Sequence, residues 1–148
     1  AVFVFSAANA ESQDVALRSA ARRVLARDAM ITEFHALSPN DTLSTAAQAV
    51  IHTTQHEFPV LDTDQSLLGF VTRDRLFAAL AGDQPRSAPA TSIMNADVPA
   101  VSLTTGLETV LEPLHNGAPA IAVVTRGGRM IGYITRENIG ELMVIQGR

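Results

Sequence analysis

The chain has 148 residues, 47% of them hydrophobic and 18% charged, which suits one globular domain with a packed core. Eleven basic against fifteen acidic residues give a net charge of -4, so no basic field is present for a phosphate backbone and nucleic acid is excluded as a partner. The absence of cysteine removes disulfides, thiolate metal sites and thiol nucleophiles together.

In chain order, the apolar run from Ala1 to Ala8 is far shorter than the roughly 20 residues needed to span a bilayer and has no basic segment before it. It reads as a strand, a remnant, or the last turns of a membrane helix. From Ala10 to Ala26, Val15, Leu17, Ala21, Val24 and Leu25 alternate with charged residues, without Gly or Pro, which predicts an amphipathic helix. Phe34 to Leu37 reads as a strand. Ser38-Pro39-Asn40-Asp41 turns into a helix from Thr42 to about Thr54, capped by Asp41 or Asn40. Phe58 to Leu61 and Leu67 to Val71 form a hairpin around a polar turn, and a helix from Arg73 to Leu80 follows. After the breaker-rich stretch from Gly82 to Pro89 the same order returns: a strand from Val98 to Ser102, a helix from Gly106 to Asn116 that Pro113 should kink or shorten, a hairpin of Ala120 to Thr125 with Met130 to Ile134, and a helix from Arg136 to Ile145.

The chain therefore states one pattern twice. Asp28-Ala29-Met30 is answered by Ser92-Ile93-Met94, and Gly69-Phe70-Val71-Thr72-Arg73-Asp74 by Gly132-Tyr133-Ile134-Thr135-Arg136-Glu137, at a nearly constant offset. Units this small bury little core alone, so the copies should pack face to face with function at their seam. The division expected is an apolar segment and linker helix over 1–27, a first repeat over 28–81, a linker over 82–91 and a second repeat over 92–148.

The Met at the head of each copy, Phe58-Pro59-Val60-Leu61-Asp62, the polar turn and Gly69-Phe70-Val71-Thr72 resemble one cystathionine-beta-synthase (CBS) motif, and the second copy resembles another. A tandem CBS pair, or Bateman module, is thus recognised over roughly Arg27 to Gln146. The resemblance implies an α/β fold of two βαββα repeats packed about a pseudo-two-fold axis, with an N-terminal helix before them. It implies a regulatory, non-catalytic role, a homodimer, and an adenosine nucleotide such as AMP or ATP as the possible ligand. Ala1 to Met30 and Thr135 to Met143 also look like parts of site-2-protease-like zinc metallopeptidases. On that reading the chain lies on the cytoplasmic side of a membrane beside its parent protease domain, where the zinc would be.

Nucleotide-binding CBS copies use the Thr of Gly-x-x-Thr and an Asp three residues later, whose carboxylate accepts both ribose hydroxyls. The matching pairs are Thr72 with Arg75 and Thr135 with Asn138. Arginine cannot accept a hydrogen bond, whereas Asn138 keeps a carbonyl acceptor, so the expected ligand residues are Thr135 and Asn138, with Thr72 as the counterpart in the other copy. Asp74 and Glu137 stand one residue early, about 100° around a helix start, and should face away from the ribose. Both threonines also suit helix capping. His52 and His56 have i, i+4 spacing but straddle the expected helix end. His56-Glu57-Phe58-Pro59-Val60 carries half of His-Glu-x-x-His, with Val60 where the second histidine would stand. No metal site and no catalytic residue is expected in this chain; His35, His52, His56 and His115 read as satisfied or solvated.

Overall fold

The computed structural model describes residues 24–146. The apolar run at Ala1–Ala8 and nearly all of the helix expected over Ala10–Ala26 lie outside them. At the first described residues the backbone is already engaged elsewhere. Leu25 is extended (φ -102°, ψ 162°), the Leu107 amide donates to the Val24 carbonyl at 2.9 Å and the Ala26 amide to the Thr105 carbonyl at 2.8 Å. The expected helix therefore does not run through Leu25, and α1 is a fresh single turn, Ala26–Ala29.

The first repeat continues with α2 (Leu43–His52), β1 (Glu57–Leu61), β2 (Leu67–Thr72) and α3 (Arg73–Ala81). A 3-10 turn at Ala90–Ile93 leads into β3 (Ala100–Val101), α4 (Leu107–His115), β4 (Ile121–Val124), β5 (Met130–Ile134) and α5 (Arg136–Gln146). The cap of α2 is Thr42, whose hydroxyl accepts from the Thr45 amide at 3.2 Å, and not Asp41 or Asn40. Asp41 is occupied one step earlier, accepting from the Ser38 amide at 2.8 Å to close the turn. The helix stops at His52 because Thr53 turns extended (φ -135°), so His56 does not share a helix face with His52. Pro113 sits in the last turn of α4, where the helix runs only to His115.

β1 and β2 pair antiparallel, β4 and β5 likewise, and β3 lies parallel to β4. The first copy has no strand to match β3. Phe34 to Leu37, expected as a strand, keeps a single bridge from Leu37 to Val60. Proline chemistry explains the difference. In the second copy the Ala122 amide donates to the Pro99 carbonyl at 2.9 Å, but its counterpart in β1 is Pro59, which has no N–H to offer His35. Gln55 fills the gap with its side chain: its amide donates to the His35 and Glu57 carbonyls at 2.8 Å each and its oxygen accepts from the His35 amide at 2.8 Å. Gln55→Ala should therefore lower stability by about 1–2 kcal/mol in urea unfolding; an unchanged midpoint would show that water replaces these bonds freely.

The two copies share edges. The Phe70 and Asn95 backbones exchange hydrogen bonds at 2.9 and 2.7 Å, and Ile31 and Tyr133 exchange them at 2.8 and 3.2 Å. Each hairpin thus takes as its neighbour the leading segment of the other copy. Packing follows the same exchange: Ala26 and Ala29 are buried with Leu107, Val110, Ile121 and Ile134 of the second copy, while Ala90 is buried among Leu43, Phe58, Val71 and Leu76 of the first, with Ile93 and Met94 against them. A third core, built on Leu61, Phe70, Ala120, Ala122, Met130 and Tyr133, draws on both copies and lies between them. These physical units cut across the sequence repeats, since each leading segment is buried in the other copy's core.

Candidate functional site

Clefts lie along the seam, floored by its central core. Phe34, Tyr133 and Phe70 stack edge to face there, with centroids 5.5 Å apart in both pairs. The larger cleft, about 880 Å³, is bounded by Phe34 and His35 of the leading segment, the stretch from Ile51 to Glu57, and Tyr133, Thr135, Glu137, Asn138 and Glu141 of the second copy. Thr135 and Asn138 are thus brought together on one wall. Thr72 lines an adjoining cleft of about 460 Å³. That cleft shares His56, Glu57, Thr135 and Glu137 with the first, so the two are continuous.

Both threonines cap the following helix. The Thr72 hydroxyl accepts from the Arg75 amide at 3.3 Å and the Thr135 hydroxyl from the Asn138 amide at 3.1 Å. Capping uses the oxygen as acceptor and leaves the hydroxyl hydrogen to donate. Asn138 donates through Nδ2 to the Ala29 carbonyl, which fixes the amide and keeps Oδ1 as an acceptor. Its counterpart Arg75 makes the corresponding tie, Nη1 to the Ile93 carbonyl at 3.3 Å. In the first copy a cation that can only donate occupies the position where the second offers a carbonyl oxygen. The cleft formed by the matching segments around Asn95, Asp97 and Gly117 is smaller, about 340 Å³, and neither Thr72 nor Arg75 lines it.

Two further arginines are anchored in pseudo-equivalent fashion. Arg73 donates from Nη2 to the Val50 carbonyl at 3.3 Å, near the end of α2, and Arg136 donates to the Leu114 carbonyl, near the end of α4. Each guanidinium donates to a carbonyl in the last turn of a helix, the Leu114 carbonyl accepting from the Gly117 amide as well, and its charge complements the negative end of the dipole.

The residues that sequence reasoning missed are acidic. Glu57 is half-buried at the start of β1, and its carboxyl is pushed up to about 7, first by burial, then by the charge of Glu137 and, more weakly, of Asp74. Burial, with a smaller contribution from Glu57, holds the Tyr133 phenol above its ordinary value. Asp74 and Glu137, expected to face away from a ribose, line the seam because the cleft wraps around the first turn of both helices. The one sequence signal for Glu57 was a carboxylate placed directly before a continuously buried strand. Among the described residues no group of three or more His, Asp or Glu side chains is placed to hold a metal ion, and no helix is long and apolar enough to cross a membrane.

Known proteins share this arrangement. The CBS domain family model matches residues 26–82 and again residues 90–144. Among solved structures the chain is similar to a CBS domain-containing protein of unknown function from Bacillus anthracis, at 20% identity and a TM-score of 0.74, covering 87% of this chain and 99% of that one. It is also similar to CBSX2 in complex with AMP (22% identity, TM-score 0.73, 84% and 98% covered). The CBS domain pair of protein MJ0100, in complex with 5′-methylthioadenosine and S-adenosyl-L-methionine, is similar as well (21% identity, TM-score 0.74, 83% and 98% covered). At these identities the likeness shows the fold. No curated protein sequence matches the chain. With the family pattern found twice along the sequence, and its two copies exchanging edges about a common core, this chain belongs to the CBS domain family as a tandem pair.

Proposed function

We propose that this CBS pair is a non-catalytic regulatory module that senses an adenosine ligand in the cleft holding Thr135 and Asn138. The observation that carries this reading is the fixed Asn138 amide: its Nδ2 is spent on the Ala29 carbonyl, so its Oδ1 is the acceptor left for ribose hydroxyls beside the Thr135 hydroxyl. The complexes of CBSX2 with AMP and of MJ0100 with adenosine derivatives support an adenosine ligand. Because Asn138 sits on α5 while Ala29 belongs to the first copy's leading segment, a ligand bound at Asn138 pulls on the junction between the copies. Calorimetric titration of adenosine should show binding that Asn138→Ala weakens at least about tenfold, the loss of one or two buried hydrogen bonds. Equal affinities in wild type and variant would sink the assignment.

The parent we propose is a site-2-protease-like membrane zinc metallopeptidase, with the chain on the cytoplasmic side and paired as a homodimer. The flanks Ala1 to Met30 and Thr135 to Met143 support the parent. Exposed Ile51, Phe77, Val144 and Ile145, on three of the outer helices, support the dimer. Deleting residues 28–148 from the full-length protein should change both its oligomeric state and its proteolytic output, and no change in either would refute this role.

A further inference from the structure

The first leading segment is strapped to the second copy. The Leu107 amide donates to the Val24 carbonyl at 2.9 Å, the Ala26 and Arg27 amides donate to the Thr105 and Leu103 carbonyls at 2.8 and 3.1 Å, and Ile31 exchanges both backbone bonds with Tyr133. Between those anchors lies α1, a single turn that leaves the Ala29 carbonyl without a helical partner. Ala29 is buried, so its carbonyl needs a partner from the protein, and that partner is Nδ2 of Asn138. Beyond Ile31 the same segment runs on as Glu33, Phe34 and His35 along the larger cleft, which Asn138 lines from α5.

The pseudo-equivalent strap is held differently. The Leu43 amide donates to the Ala88 carbonyl at 2.9 Å and Asn95 exchanges backbone bonds with Phe70, but the side-chain tie runs from Arg75 to the Ile93 carbonyl at 3.3 Å. Arg75 is exposed, lines none of the clefts described above and can only donate. Gln55, which does line the larger cleft, spends its oxygen on the His35 amide and its nitrogen on the His35 and Glu57 carbonyls. Of these three side chains only Asn138 holds a strap with one end of its amide and keeps the other for a ligand.

Resting on the adenosine reading above, we propose that Asn138 is the coupling residue of the module: its one planar amide accepts from the ligand through Oδ1 and holds the strap over 24–31 through Nδ2, so an occupied cleft tightens the strap. Accepting at Oδ1 polarises the amide and strengthens its N–H as a donor, and a side chain already fixed by the ligand loses less freedom in holding Ala29. The reverse holds by linkage: pulling the strap from the second copy weakens ligand binding by the same factor.

Amide hydrogen exchange of the full chain, followed by NMR with and without saturating adenosine, tests this. Adenosine should slow exchange at Met30 and Ile31 about fivefold more than at Phe70 and Asn95 of the other edge, the size of a modest coupling. Asn138→Asp separates the two tasks, because a carboxylate still accepts from a ribose but has no proton for the Ala29 carbonyl. In that variant adenosine should bind within about threefold of wild type, exchange at Met30 and Ile31 should rise about tenfold, and adenosine should no longer slow it selectively. Arg75→Ala, at an exposed position, should loosen the other strap and leave the adenosine effect at Met30 intact; loss of that effect would overturn the assignment to Asn138. The wild-type comparison stands whether or not a variant folds. Adenosine that binds but slows both edges equally overturns the coupling and leaves the adenosine site standing, and so does Asn138→Asp that exchanges at Met30 and Ile31 as wild type does. Failure of adenosine to bind wild type removes the adenosine reading and the coupling with it.

Discussion

Gly132→Ala is expected to destabilise the chain by about 3 kcal/mol, the upper part of the range for forcing one methyl group into a packed interior. A Cβ at this position would lie 2.6 Å from the Ile31 carbonyl oxygen and 3.1 Å from Met30 Sδ. The thioether can swing away. The carbonyl cannot, because Ile31 exchanges both of its backbone hydrogen bonds with Tyr133, the residue next to Gly132. Relief requires separating the two copies along that edge. Gly69→Ala should behave alike, since its Cβ would come 2.5 Å from the Asn95 carbonyl oxygen and 2.6 Å from Met94 Cγ, and Asn95 is locked to Phe70 in the same way. Gly106→Ala is the control, with nothing within 4 Å of the added atom. Urea unfolding of the three variants decides the matter: equal midpoints for Gly132→Ala and Gly106→Ala would mean that the close approach across the seam is not part of the stable structure.

The second large effect is a dependence of stability on pH that one substitution should abolish. Glu57 has a folded-state value of about 7 against an ordinary 4.5, so the folded state holds this proton more tightly than the unfolded chain does. Below pH 4.5 the carboxyl is protonated in both states and costs nothing. Between 4.5 and 7 the unfolded chain ionises first, stability falls as pH rises, and above 7 the loss is constant. The full shift would correspond to roughly 3 kcal/mol. Glu57 is only half-buried, so solvent screening reduces the expected loss to about 1–2 kcal/mol. Glu57→Gln should match wild type near pH 4 and exceed it by that amount at pH 8. Thermal melts of both proteins across the range provide the check, and parallel curves would show that the carboxylate is relaxed by solvent at the seam.

These two expectations differ in how far the sequence announced them. Gly69 and Gly132 stand at matching places in both copies, so a shared requirement was visible before any coordinates. Its cause was not, because the atoms that demand glycine, the Ile31 and Asn95 carbonyls, belong to the opposite copy. Glu57 gave almost no signal. Its raised value comes first from burial in the folded chain and then from Glu137, remote in sequence and adjacent only across the seam, with a smaller push from Asp74 of its own copy. The expected strand at Phe34 to Leu37 failed for a reason present in the sequence but legible only once the pairing was known: Pro59 faces His35 and has no proton to donate.

What the sequence determined by itself was the doubled unit, the order of helices and hairpins, the turn chemistry and the pairing of Thr135 with Asn138, because periodicity, breakers and capping act over a few residues at a time. The tertiary structure alone decided which copy each leading segment joins, which cleft is open, and where the carboxylates gather. Those outcomes depend on Coulomb and packing forces between segments that range from 25 residues apart, as for Phe70 and Asn95, to 109, as for Ala29 and Asn138, at distances that only the folded chain sets.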